Sequence, residues 1–310
     1  MFTKALVPLD GTDVSEGIVP FITQLARGLD LGVVLAAAID IEPALDLPNV
    51  AGSAMTNRVQ ERLEELADRL ALEGIAADTS TGSGPASDSI LRMAQDSGCD
   101  LIAMSTRGRG VVSSGLLGSV TYKIMHESPI PVLAITPERA KRHWESDYGI
   151  REIIVPLDGS ELAEAALPYA AAIAARMDMR MTLLRVLPVD HVYTEGAGYH
   201  LVDEWTSALA EMESEARSYL VAKARRLRVE GIEVEVETVR GRPSTEIAEL
   251  ARRSDHNMIA LATHGRTGVS RLLMGSVAEA VVRESGDPVL IVRPPAVATP
   301  DTVRAAVPST

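Results

Sequence analysis

The strongest constraint on the fold of this chain is an internal duplication. Residues 99–135 read CDLIAMSTRGRGVVSSGLLGSVTYKIMHESPIPVLAI, and residues 257–292 read NMIALATHGRTGVSRLLMGSVAEAVVRESGDPVLIV. Aligned, Ser105 falls on Ala262, Gly108 on Gly265, Gly118-Ser119 on Gly275-Ser276, and the apolar run 131–135 on 288–292. Each copy is an apolar strand, a glycine-bearing loop, a Gly-Ser pair opening a short helix, and a final apolar strand. Glycine-rich backbone that runs into a helix start presents unpaired N–H groups and the positive end of a helix dipole, which favour an anion such as phosphate. One such spacing is weak, but two at matching places in one chain are not.

The duplication extends upstream. Pro8-Leu9-Asp10-Gly11-Thr12 closes a first apolar strand (Lys4–Leu9) and returns as Pro156-Leu157-Asp158-Gly159-Ser160 after a second (Glu152–Leu157). Between these landmarks, apolar periodicity predicts a helix over Asp13–Gly28, a strand Val33–Ile39, a loop Asp40–Thr56, a helix Arg58–Glu73, a strand Ile75–Thr81 and a helix Ser87–Ser97. In the second half the matching elements are a helix ending near Ala174, a strand Met181–Leu187, a loop Pro188–Tyr199, a helix Asp203–Arg228, a strand Ile232–Val239 and a helix Ser244–Arg253. Strands alternating with helices, without hairpin signals, imply parallel sheets with right-handed crossovers and helices on both faces. The length of 310 residues fits two domains. They are expected at 1–137 and 150–294, with a polar, unpatterned linker at 138–149 and a loosely ordered tail at 295–310.

Composition narrows the function classes. A formal net charge of -13, with no basic run, argues against a nucleic-acid partner. No apolar run reaches the ~20 residues that span a bilayer, and no membrane partner is expected. The single cysteine, Cys99, cannot form an intrachain disulfide, and Met1 leads directly into a strand without a leader pattern. A cytoplasmic location is expected.

Ligands of open parallel sheets sit beyond the carboxyl ends of the strands, where strand order switches. Asp10 and Asp158 lie at such ends and can accept hydrogen bonds from sugar hydroxyls or a base amine, or can simply form turns. Gly108, Gly118, Gly265 and Gly275 would let phosphate oxygens approach the backbone. Ser119 and Ser276 read as helix N-caps, and Ser276-Val277-Ala278-Glu279 fits a capping box. Arg107 and Arg109, with His264, Arg266 and Arg271 in the second copy, supply cations beside the cradle. There is no P-loop, no dinucleotide fingerprint, no metal-ligand spacing and no nucleophile elbow.

These residues resemble the universal stress protein family in its tandem form. The resemblance runs from Lys4 to Arg293 apart from the linker, and rests on the Gly-x2-Gly-x9-Gly-Ser/Thr pattern, the Asp after the first strand and the Pro-Val-Leu final strand. It implies two nucleotide alpha-hydrolase-like domains, each a five-stranded parallel sheet of order 3-2-1-4-5 with one adenine-nucleotide site. ATP, accompanied by Mg, is the implied ligand. Asp10 and Asp158 would contact the adenosine end, and Ala38 and Val186 would line the adenine pocket. Gly108, Gly118, Ser119, Gly265, Gly275 and Ser276 would hold the ribose and phosphates, with Arg266 beside them. Ser105 and Ala262 stand where the pattern has its first Gly, and a Cβ there costs something if the backbone needs positive φ. The final strands 131–135 and 288–292 could pair with each other, giving an intrachain pseudo-dimer, and whole chains could pair further into a homodimer. The implied function is ATP-binding regulation in the stress response; the alternative is a slow ATPase or nucleotidyl-transfer enzyme on the same scaffold.

Overall fold

The computed structural model describes residues 2–39, 50–107, 117–140, 149–188, 199–263 and 274–294, with side chains from Thr56 and from Ser207 onward in the two long helices. The first half runs β1 (Lys4–Pro8), α1 (Asp13–Glu16), α2 (Val19–Leu29), β2 (Gly32–Ile39), α3 (Val50–Leu72), β3 (Ala77–Ser83), α4 (Ala86–Asp96), β4 (Leu101–Ser105), α5 (Ser119–Glu127) and β5 (Val132–Ile135). The second half repeats it: β6 (Glu152–Pro156), α6 (Glu161–Glu164), α7 (Leu167–Met177), β7 (Arg180–Leu187), α8 (Tyr199–Val229), β8 (Val234–Arg240), α9 (Pro243–Ala251), β9 (Asn257–Ala262), α10 (Ser276–Glu284) and β10 (Val289–Val292).

All ten strands form one sheet of order β3-β2-β1-β4-β5-β10-β9-β6-β7-β8. Each half has the expected order 3-2-1-4-5. The central strands are uninterrupted apolar runs because helices cover them on both faces; β4, β5, β9 and β10 are buried at every position. The outer strands, ADTSTGS in β3 and VEVETVR in β8, alternate polar with small or apolar residues, as suits an edge exposed to other chains. Strands β5 and β10 pair antiparallel with Leu133 opposite Leu290, so a pseudo-twofold axis passes between them. Leu133 and Leu290 belong to the core on one face of the sheet, Val132 and Ile291 to the core on the other. Both cores therefore run across the seam between the halves.

Further contacts hold the seam. A Cβ on Gly28 of α2 would stand 2.9 Å from Met177 Cγ of α7, which explains the absence of a side chain at this helix crossing. Arg176 donates to the Leu29 carbonyl at 3.1 Å, and the Phe2 and Tyr169 rings lie 5.5 Å apart.

The structure corrects several boundaries. The helix expected over 13–28 is two helices, because Pro20 has no N–H for an intrahelical bond and instead sits in the first turn of a restarted helix, as Pro168 does in the second half. Helix α3 begins at Val50, inside the expected loop; its low-propensity Gly52 and Ser53 hide the start. The long helix α8 likewise begins at Tyr199. The expected linker begins with a packed helical turn at 137–140, where Arg139 and Ala140 are buried. Residues 141–148 of the linker and the tail 295–310 lie outside the described residues.

Candidate functional site

The turn after β1 shows how the sequence positions its aspartate. Gly11 adopts φ 75°, reversing the chain, and Asp10 Oδ1 accepts from the Thr12 amide at 3.0 Å and the Thr12 hydroxyl at 2.6 Å. Thr12 in turn caps α1, accepting from the Ser15 amide, while the Asp10 amide donates to Ser15 Oγ at 3.2 Å. The second half has the same device: Gly159 at φ 86°, and Asp158 Oδ1 accepting from the Ser160 amide at 2.9 Å and hydroxyl at 2.6 Å. Both aspartates thus form turns through Oδ1, and each turn holds its carboxylate at a strand carboxyl end.

Across the strand-order switch, at the end of β4, stand Ser105 and the start of α5. The Gly118 amide donates to the Thr106 carbonyl at 2.9 Å; the Gly275 amide does the same to Thr263 at 2.7 Å. Gly118 and Gly275 are the N-caps of α5 and α10, and neither helix has a side-chain capping bond. Ser119 and Ser276 are therefore the first helical residues, not the caps expected from sequence. The capping box fails because the cap position carries no side chain. A glycine cap leaves the first-turn amides turned outward without an internal acceptor, which is the arrangement that receives an anion.

Gly118 has φ -64° and Gly275 φ -65°, so these glycines are not required by backbone conformation. A Cβ on Gly118 would make only ordinary contacts, 3.4 Å from the Thr106 carbonyl oxygen and 3.7 Å from Thr121 Oγ1. Ser105 and Ala262 end their strands without positive φ, so the Cβ they carry causes no backbone strain.

In the first half these parts enclose a pocket of about 300 Å³ lined by Asp10, Ala38, Ser105, Arg107, Gly118 and Ser119, among others. Five positions named from the sequence and Ala38, named through the family resemblance, therefore line one pocket at the β1/β4 switch. Sequence reasoning missed Ser15 and Thr121, which line the same pocket; Thr121 Oγ1 donates to the Ser105 carbonyl at 3.1 Å. Hydroxyl residues spaced from the Asp-Gly and Gly-Ser pairs were the available signal.

The second half places Asp158, Ala262, Gly275 and Ser276 at the ends of β6 and β9 and at the start of α10, with Val186 on the neighbouring β7. Ala163 and Ala278 stand where the first half has Ser15 and Thr121. A new cation also enters. Arg185, whose counterpart is Ala37, lies so close to the aspartate turn that a Cβ on Gly159 would stand 2.8 Å from its Nη1. It stacks over Tyr219 at 5.3 Å. Tyr219 donates to Glu164 at 2.8 Å, and Lys223 pairs with the same carboxylate. Burial and the Glu164 bond push the Tyr219 hydroxyl above its ordinary range. Burial acts to raise Glu164, but the Lys223 and Tyr219 bonds outweigh it and hold the carboxyl below the usual range.

Gly108, Gly265 and Arg266, together with Arg109, His264 and Arg271, lie outside the described residues. Among the described residues there is no cluster of His, Cys, Asp and Glu able to hold a metal ion, and no helix long and apolar enough to cross a membrane.

Comparison with known proteins gives the family and the fold. The sequence pattern of the Universal stress protein family matches residues 1–136 and 149–293. A universal stress protein of Methanocaldococcus jannaschii is 30% identical over 155 residues, covering 50% of this chain and 87% of that protein. One from Synechocystis is 28% identical over 154 residues, 47% of this chain and 99% of that protein. The crystal structure of a universal stress protein from Archaeoglobus fulgidus superposes with a TM-score of 0.67 at 21% identity, covering 94% of this chain and 98% of its own.

Proposed function

The chain belongs to the universal stress protein family, and from that premise we propose that it is an ATP-binding regulatory protein of the stress response with one adenine-nucleotide site in each half. The observation that carries this reading is the pocket at the β1/β4 switch, where a helix start without a side-chain cap faces Asp10, Ser105 and Arg107. The residues fit the ligand. The start of α5 at Ser119, Val120 and Thr121 would hold the phosphates. Arg107 would add a charge-assisted donor, Asp10 would hold the ribose, and Ala38 would line the adenine pocket. Mg bound with the phosphates would neutralise their charge and would need few protein carboxylates.

In the second half Val186 stands where the first half has Ala38, and Arg185 adds a cation at the Asp158 turn. Gly275 and Ser276 offer the same helix start. Regulation follows from differential affinity of the nucleotide for two states of the chain.

The test is calorimetric titration with ATP, AMP, adenosine and inorganic triphosphate. Binding that weakens stepwise from ATP to AMP to adenosine supports a site that reads both base and phosphates. Equal affinity for ATP and adenosine would contradict the phosphate cradle.

A further inference from the structure

Two cavities meet at one side chain. Arg107 lines the first-half pocket beside Ser105 and Gly118, and it also lines a second cavity of about 440 Å³ in the seam, with Glu138, Arg139, Asp255 and Asp287. Its guanidinium is paired with Glu138, in the helical turn at 137–140 that follows β5.

That turn is fastened to the second half on both sides of Glu138. Thr136 Oγ1 donates to the Gly286 carbonyl at 3.1 Å. Arg139 bridges Asp255 at 2.9 Å and Asp287 at 3.0 Å, and the Arg139 and Ala140 amides bond back to the Thr136 carbonyl at 3.1 and 2.9 Å. Because β5 and β10 run antiparallel, the carboxyl ends of the first-half strands lie beside the amino ends of the second-half strands. The first pocket is thus adjacent to the loops carrying Asp255 and Asp287.

The Arg107–Glu138 pair is weak by its setting. Glu138 is 54% exposed, so water competes for its charge, whereas Arg107 is only 14% exposed and keeps its charge close to the pocket. A polyphosphate held at the start of α5 carries several charges against the single charge of Glu138, at the low-dielectric end of the same guanidinium. The anion wins that competition.

We propose that Arg107 has two positions, on Glu138 or on the bound anion, and that this exchange transmits occupancy of the first pocket to the seam. The proposal rests on the nucleotide reading above and adds its regulation. In the Glu138 position Arg107 steadies the 137–140 turn. In the anion position it leaves Glu138 to solvent and loosens that turn. By reciprocity, the Glu138 pair must oppose nucleotide binding.

The consequence is opposite effects from the two members of one ion pair. In a Gly275→Asp background, which leaves the first pocket as the measured site, Arg107→Ala weakens ATP by about tenfold or more, the loss of a charge-assisted bond. Glu138→Gln tightens it by about two- to fivefold, the release of a partly exposed pair. Hydrogen exchange supplies the seam readout: ATP speeds exchange of the Arg139 and Ala140 amides in the parent chain and leaves it unchanged in Arg107→Ala. If ATP binds but both substitutions move affinity in the same direction, or the seam amides do not respond, the coupling is overturned while the nucleotide reading stands. If the Gly275→Asp chain, folded by circular dichroism, binds no ATP, the nucleotide reading fails at this pocket and takes the coupling with it.

Discussion

Replacing Arg139 tests how strongly the two halves are joined. Its guanidinium bridges Asp287, whose side chain is 6% exposed, and Asp255, whose side chain is 69% exposed. The exposed contact contributes about 0–1 kcal/mol. The buried one dominates: removing one partner of a buried pair costs about 3–5 kcal/mol, because the other charge stays buried after losing a counter-charge. Arg139→Met should therefore lower unfolding free energy by about 3–5 kcal/mol. Arg139→Met combined with Asp287→Leu, which removes both charges and keeps apolar volume, should recover most of that loss. Guanidinium or urea denaturation followed by far-ultraviolet circular dichroism and tryptophan fluorescence measures both. The two probes should report one transition, since the apolar cores on both faces of the sheet cross the seam. A loss below about 1 kcal/mol for the single variant, or a double variant worse than the single, would refute the reasoning.

Three further outcomes are expected. Gly118→Asp should leave stability unchanged or raise it by a few tenths of a kcal/mol, because Asp is a favoured N-cap; calorimetric titration should nonetheless show ATP affinity at the first pocket reduced at least about tenfold, because a carboxylate then faces the phosphates. Burial pushes the Cys99 thiol up to about 11. Alkylation at pH ~8 should therefore run about two orders of magnitude slower in the native chain than in denaturant, judged by mass spectrometry. Glu164 is held below its ordinary value, so its contribution is present above the unfolded carboxylate range and is lost as pH falls through the folded value. Lys223→Met should flatten the fall in stability between pH ~5 and ~3, by about 1 kcal/mol or less for so partly exposed a pair.

What could be read from sequence was what local pattern encodes. Parallel strands with helices on both faces follow from alternating apolar runs and helices, whereas the strand order within each half and the β5–β10 pairing were implied by the family resemblance. The Asp10 and Asp158 turns were legible because Asp-Gly at a strand end has few conformations. The helix caps were misread for a physical reason: serine after glycine has the capping side chain, but the backbone places glycine at the cap and serine one residue inside. Arg139 was invisible because its partners, Asp255 and Asp287, are 116 and more residues away, and nothing in PERAKRHWESDY marks one charge as buried. Arg185 and Glu138 were missed likewise, since their roles arise from neighbours that only the assembled sheet brings close.

The central claim is two adenine-nucleotide sites in one chain, and native mass spectrometry of the protein with ATP tests it most directly. The account predicts two ATP molecules on the parent chain, one on Gly118→Asp, one on Gly275→Asp and none on the double variant, with all four chains folded. A parent chain that takes up no ATP, or a double variant that still takes up two, would contradict it.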